Sequence, residues 1–531
     1  MSAVAPSSWA PLRQPTFTVL WVAAVVGNVG SFMRDVASAW LVTELSASPA
    51  AVATIQAAAT LPVFLLAMPA GVLSDLFDRR RFLIAVQLLL GATSLTLAVL
   101  SATGALTVTW LVTLTFVGGA GAALMAPAWQ SIVPELVPRA DMRNAIALNS
   151  LGVNIARAVG PALGGVLLGV AGAATVYGVD VLTYVLVIAA LLWWRKPAKP
   201  RSALDEQFAG ALRAGARYAL ASRELHVVLL RVAAFFAFAS AVWALLPLVA
   251  RQLLGGTAGF YGLLLGAVGA GAILGAVLLP RWRARFDADA LVCGAAAAVA
   301  AVMGTLAFGP PQWLALGLML VMGAGWITAL TTLNGAAQAV LPDWVRGRGL
   351  AVYLMVFNGA MTLGSLGWGA VAQVTSVPAA LGIAAVCALG VAAVAGRVPL
   401  PTGEADLQPS RHWPEPPLAD RPDHDRGPVM VQIEYQVPAD RRDALAEAMR
   451  PLATARRRDG AFLWGLSEDP DRPDLVIEWF LVESWAEHLR QHHRVSNADA
   501  DLQREIARHH VGASAPVVRH LVGVSAAMRP A

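Results

Sequence analysis

Twelve stretches of about twenty apolar residues each dominate this chain of 531 residues, and they leave it few folds to choose from. A hydrocarbon layer about 30 Å thick is crossed by roughly twenty helical residues, because backbone N–H and C=O groups left unpaired in lipid are too costly. The stretches run over residues 17–43, 50–73, 82–102, 107–129, 143–169, 173–194, 225–252, 257–280, 289–309, 312–338, 347–373 and 376–396. A mean hydropathy of +0.61 agrees with a membrane protein. Charge is distributed unevenly, since residues 401–531 hold 37 of the 73 charged side chains. The N-terminus lacks a basic segment followed by a short apolar run and a cleavage site, so the first stretch is expected to remain as a span.

Basic residues mark the cytoplasmic side of short loops. With the N-terminus inside, Arg13, Arg79 to Arg81, Arg139, Arg143, the 195–223 segment, Arg281, Arg283, Arg285, Arg346, Arg348 and Arg397 all fall inside, and Arg251 alone falls outside. Twelve spans with both termini cytoplasmic satisfy this alternation.

The chain repeats itself. "QSIVPELV" at Gln130 recurs as "QAVLPDWV" at Gln338, and Asn154 with "GPALGG" recurs 204 positions later as Asn358 with "GSLGWG". The same offset takes Gly71 to Gly275 and Arg79 to Arg283, while Asp75 meets Leu279. Two parallel six-span halves describe a secondary-transporter architecture with its substrate site near the midplane. The expected division is an N-terminal bundle over 1–194, a cytoplasmic linker over 195–224, a second bundle over 225–396, a proline-rich linker over 397–426 and a soluble domain over 427–531.

These residues resemble the major facilitator superfamily. "GVLSDLFDRRR", residues 71–81, is similar to its loop signature after the second span, with Gly71, Asp75 and the basic run Arg79, Arg80 and Arg81 in place. It departs from that signature at Leu76 and Asp78. "GPALGG", with Gly160, Pro161, Gly164 and Gly165, resembles the core of the antiporter signature in the fifth span, although Ala156 replaces the usual preceding glycine. "PAWQSIVPELVPRADMRNAIALNS", "NIARAVGPALGG" and "LPDWVRGRGLAVY" resemble the branch that includes enterobactin exporters and transmembrane secretion effectors, over about residues 15–396. The resemblance implies that the Asp75 and arginine cluster holds the cytoplasmic side shut. Physically, a carboxylate there can pair with Arg79 at i,i+4 and favour the N-terminus of a neighbouring helix.

Ionisable residues within spans are costly and are functional candidates by default. Arg34 and Asp35 lie in the first span, Arg157 in the fifth, Asp180 in the sixth and Arg231 near the start of the seventh. Asp35 is the better proton site, because a carboxylate taken out of water holds its proton more readily. Arg157, at mid-depth, is expected to bind an anionic substrate group or to pair with Asp35. Arg231 lies close enough to the interface to snorkel. Asn28, Asn154 and Asn358 are candidate polar cavity groups. ATP-driven pumping is excluded, since neither lysine, Lys196 or Lys199, follows a glycine as a Walker A lysine must.

After the proline-rich linker the pattern reads β-α-β-β-α-β, with an additional helix near 499–510, which suggests a ferredoxin-like α+β fold. It resembles dimeric α+β barrel domains of the antibiotic-biosynthesis monooxygenase type, and a regulatory or dimerising role is expected of it. His488 and His492 are spaced i,i+4 with His493 beside them, which reads as a polar helix face; no metal, cofactor or catalytic residue is expected. The expected function is proton-coupled export of a small amphipathic molecule across the cell membrane, with substrate, proton and lipid as partners and no nucleic acid. The alternatives are an importer on the same scaffold, or a membrane-anchored enzyme or sensor acting through the C-terminal domain.

Overall fold

The computed structural model describes residues 9–194, 215, 217–395, 397–401, 406, 408, 410, 413 and 426–524. The helices begin where the sequence supplies caps. Ser48, Asp78, Thr107, Thr257 and Asp287 each accept a hydrogen bond from a backbone N–H three residues on, satisfying a donor that the first turn leaves free. They open α2 (Pro49–Leu76), α3 (Arg79–Ala102), α4 (Val108–Leu136), α8 (Ala258–Arg283) and α9 (Ala288–Leu306). The first helix is α1 (Pro15–Leu45), and the second half is completed by α7 (Arg223–Leu248), α10 (Gln312–Ala339), α11 (Arg346–Val374) and α12 (Val377–Ala395).

Among the described residues, eleven helices are long and apolar enough to cross a membrane, and one of them, Met142–Trp193, has 52 residues. At 1.5 Å per residue it would reach about 78 Å, more than twice the hydrocarbon thickness. It is broken at Gly172, whose φ of 77° is a left-handed conformation that glycine adopts without a steric penalty. The break yields α5 (142–171) and α6 (173–193), and hence the twelve spans read from the sequence. Large apolar side chains such as Leu95, Val170, Leu182 and Val386 are turned outward, as expected of a surface covered by lipid rather than water.

The repeat is reproduced in the packing. A Cβ at Gly160 would lie 2.7 Å from Phe32 of α1, and one at Gly364, 204 positions on, would lie 2.3 Å from Ser240 of α7. A Cβ at Gly165 would lie 2.7 Å from Gly262 of α8, and one at Gly369 would lie 2.3 Å from Ala53 of α2. Equivalent glycines therefore make equivalent close approaches, within each half and between the halves.

Tertiary contacts divide the chain into two compact units, Met1–Ala203 with Leu229–Asn334 and Tyr353–Pro399, and Leu204–Val228 with Gly335–Val352 and Leu400–Ala531. The second unit is larger than the 427–531 domain expected from the sequence. Aromatic and ionic contacts recruit the additional stretches: Arg494 lies 4.4 Å from the Trp344 ring, Arg458 lies 5.9 Å from the Tyr218 ring, and Arg217 pairs with Glu483 at 2.7 Å.

Within that unit lie β1 (Val429–Gln436), α13 (Arg442–Arg458), β2 (Leu463–Asp469), β3 (Arg472–Val482), α14 (Trp485–Arg494), α15 (Asn497–Ala507) and β4 (Val517–Val522). The antiparallel sheet has the order β2-β3-β1-β4, as in a ferredoxin-like fold. Val429, Val431 and Tyr435 alternate inward along β1, and α13 buries Leu445, Met449 and Leu452 at helical spacing in one cluster with Tyr435 and Val476.

Candidate functional site

The polar centre of the first half is built around Arg34. Its guanidinium donates to Asp35 Oδ1 through Nη2 (3.0 Å) and Nε (3.3 Å), and through Nη1 to Tyr184 Oη at 2.7 Å. Asp180 Oδ2 lies 3.6 Å from Nη1 and accepts from Ser94 Oγ at 2.6 Å. The two carboxylates differ sharply in setting. The Asp180 side chain is 0% exposed, whereas that of Asp35 is 56% exposed. Gly30 makes room for the buried pair, since a Cβ there would stand 2.7 Å from Asp180 Oδ1.

Adjacent residues on a helix diverge by about 100°. The long Arg34 side chain nevertheless reaches Asp35 on its own helix and Tyr184 and Asp180 on α6. The structure thus brings together three of the ionisable residues singled out from sequence and places Arg157 apart. Its guanidinium sits 6.0 Å from the Phe32 ring, and among the described residues it forms no ion pair. Arg231 pairs with Asp289 of α9.

A cleft of about 710 Å³ opens beside the network, lined by Asn28, Ser31, Gln87, Trp129, Gln130, Asn149 and Tyr184 among others. These residues lie toward the α1 N-terminus, the α4 C-terminus and the α6 C-terminus, so they occupy the half of the bundle nearer its arginine-rich end. Trp129 Nε1 donates to Asn149 Oδ1 at 3.1 Å. Tyr184 belongs both to the cleft wall and to the charge network, and its hydroxyl also lies 3.1 Å from Ser31 Oγ. Asn154 and Asn358 each donate to the carbonyl four residues back on their own helix, Ser150 and Leu354, at 2.9 Å.

Of the loop signature, Gly71 and Asp75 lie in a part of α2 whose side chains are outside the described residues. Asp78, a departure from the signature, caps α3 by accepting from the Arg81 N–H at 3.0 Å. Arg79 pairs with Glu135 of α4 at 3.1 Å, and Arg80 donates to the Leu191 and Leu192 carbonyls at 2.7 Å, where the α6 C-terminus favours a cation. Further polar contacts join the two halves away from this end. Ser48 donates to Gln373 at 2.7 Å, Thr60 and Thr362 hydroxyls are 2.7 Å apart, and Arg251 reaches Thr43. In the antiporter-like signature, Gly160 and Gly164 admit α1, Gly165 admits α8, and Pro161 is buried.

The C-terminal domain carries a second concentration of polar groups. Arg456 and Glu478, both nearly inaccessible, pair at 3.0 Å, and Glu478 accepts from Trp464 Nε1 at 3.1 Å. Burial pushes the Asp459 carboxyl up to about 6, against the pull of Arg458. Burial, followed by the neighbouring His520 and His492, brings His488 down to about 3.

Sequence reasoning did not single out Ser31, Gln87, Ser94, Trp129, Asn149 or Tyr184. Each is an ordinary neutral residue in an apolar helix. Only the clustering of such residues on the inner faces of five helices marks them, and that requires the packing.

Comparisons with known proteins agree with this fold. Enterobactin exporter EntS of Salmonella choleraesuis is 29% identical over 319 residues, 57% of this chain and 74% of that protein. Macrolide efflux protein A of Streptococcus pyogenes is 23% identical over 243 residues, 45% of this chain, and the chain spans only 60% of its length. The solved nucleoside transporter NupG superposes with a TM-score of 0.61 at 12% identity, covering 72% of this chain and 99% of the transporter. The transmembrane secretion effector profile matches residues 6–528, extending well beyond the twelve spans. With two repeated six-helix halves and a match over nearly its whole length, this chain belongs to the transmembrane secretion effector family, a transporter rather than an enzyme family of the major facilitator superfamily.

Proposed function

We propose that this chain exports a small amphipathic molecule, such as a siderophore, drug or secondary metabolite, by proton-driven alternating access. The observation that carries the reading is one buried guanidinium, Arg34, shared between exposed Asp35 and wholly buried Asp180, with Tyr184 linking it to the cleft. A proton arriving on either carboxyl releases one side of Arg34, and the rearrangement reaches the cleft through the tyrosine hydroxyl. The halves then part at Ser48–Gln373 and Thr60–Thr362 as access switches. Export of enterobactin and efflux of macrolides by relatives supports an outward-moving cargo of this kind.

The arginine asymmetry supports cytoplasmic termini, which puts the cleft in the cytoplasmic half of the membrane, where an exporter loads. Asn28, Gln87 and Asn149 then meet polar groups of the cargo and Trp129 its apolar face. In this reading Gly71, Asp75 and Arg79 to Arg81 form the cytoplasmic gate. The C-terminal domain serves regulation or self-association, for which the edge strand β4, with Val517 and Leu521 about half exposed, is suited.

Inverted vesicles test the transport reading. With an inward-acid pH gradient, wild-type vesicles should accumulate a fluorescent amphipathic probe, a protonophore should abolish the uptake, and Asp35→Asn and Asp180→Asn should show little of it. Gradient-independent uptake would refute proton coupling, and net flux in the opposite direction would make the chain an importer.

A further inference from the structure

We propose that His488, His492 and His520 form a binding site for one divalent transition-metal ion of the zinc type, with the fourth position left to water or a small ligand. The site lies in the C-terminal domain and stands independently of the transport reading. His488 and His492 share a face of α14, and His520 arrives from β4, opposite Val431 of β1 in the sheet register. One donor atom from each ring lies within 4.8 Å of the other two.

Two of these donors are already at a ligating separation. The Nε2 atoms of His488 and His492 are 3.2 Å apart. A tetrahedral ion with metal–nitrogen bonds of about 2.0–2.1 Å needs donors about 3.4 Å apart. Rotation of the half-buried His520 ring, whose centroid lies 4.7 Å from that of His488, brings the third donor in.

The surroundings favour ligation over ordinary packing. The three imidazoles converge, with one nitrogen of each within 4.8 Å of the other two. Aromatic walls restrain the rings: Trp485 lies against His488 and His520 at 5.3 and 5.9 Å, and Trp413 against His492 at 5.0 Å. Gln491 is wholly buried and its side-chain amide makes no hydrogen bond among the described residues. Ligation through His488 Nε2 fixes the proton on Nδ1, which also lacks a well-formed hydrogen bond among these residues, and gives the Gln491 amide an outer role. The nearby cation Arg456 is offset by Glu478. An all-imidazole set selects zinc, copper, nickel or cobalt over calcium and magnesium. His488 is buried while His492 and His520 are partly open, so an ion has a path in.

The full chain, purified in detergent through a histidine-free tag and stripped with chelator, would be titrated with Zn²⁺ by calorimetry. Co²⁺ binding would be followed by visible absorption. One ion per chain is expected, with the intense bands of four-coordinate cobalt. Affinity should fall by at least about tenfold in His488→Ala, His492→Ala and His520→Gln, and stay unchanged in His509→Ala. Mass-spectrometric footprinting of histidines in the wild-type chain needs no variant, and Zn²⁺ should protect His492 and His520 but not His509. Absence of zinc binding, binding unchanged by His520→Gln, or equal labelling with and without zinc would overturn the site.

Discussion

Replacing Asp180 by Asn and Arg34 by Gln should have unequal costs, and the inequality follows from who is left behind. In Asp180→Asn the guanidinium keeps Asp35 at 3.0 Å and Tyr184 at 2.7 Å, and the Ser94 hydroxyl loses its charged acceptor, a cost of about 1.5–3 kcal/mol. Arg34→Gln instead strands Asp180, wholly buried and left chiefly with the neutral donors Ser94 and Thr183. Removing one partner of a buried pair costs about 3–5 kcal/mol. In the double variant no charge is stranded, so its cost should fall short of the sum of the two by at least about 1 kcal/mol. Asp35→Asn should be the mildest of the single changes, because its side chain is more than half exposed. Unfolding of detergent-solubilised protein, followed by tryptophan fluorescence, gives all four values. If Arg34→Gln cost no more than Asp180→Asn, or the two costs simply added, Arg34 would not be the shared partner of a buried carboxylate.

Gly165→Leu should abolish probe transport and lower the yield of folded protein, since even a Cβ there falls 2.7 Å from Gly262 Cα; unchanged transport would mean that α5 and α8 separate easily. Asp459 has its native pKa raised from 3.8 to about 6, so its contribution favours the fold below pH 4 and is lost as pH rises through 6. Asp459→Asn should therefore gain stability relative to wild type between pH 4 and 6, read as unfolding midpoints across a pH series. Trp344→Ala removes the ring under Arg494 and should cost about 0.5–2 kcal/mol, seen as faster amide exchange over residues 335–352.

Much of the architecture was legible because lipid enforces it. Twelve apolar runs, arginines on alternate loops and a 204-residue repeat specify two six-helix halves before any contact is known. Even the division between the fifth and sixth spans could be read, from two separate apolar runs at 143–169 and 173–194, and the helix of 52 residues does break between them, at Gly172. The strands of the C-terminal domain were visible from alternation, as in Val429, Val431 and Tyr435. Partnerships were not. Arg157 stood out as a central charge, yet Arg34 occupies the hub, because a long side chain that contacts both its own helix and α6 defeats an angular argument made at Cα. His520 lies 28 residues beyond His492 and joins it only through sheet pairing, which helix spacing cannot reveal. Recruitment of Tyr218 and Trp344 to the second compact unit was hidden for the same reason: rings stacking on arginines leave no period in the sequence.

The position of Tyr184 has a thermodynamic corollary. One hydroxyl belongs to the wall of the cleft and to the coordination of Arg34, so any cargo that takes a hydrogen bond from it changes the free energy of the charges beyond. Linkage makes the effect mutual: whatever factor cargo imposes on proton affinity, protons must impose on cargo affinity. Tyr184→Phe should therefore leave a cleft that still binds and carboxyls that still titrate, with the two no longer informing one another.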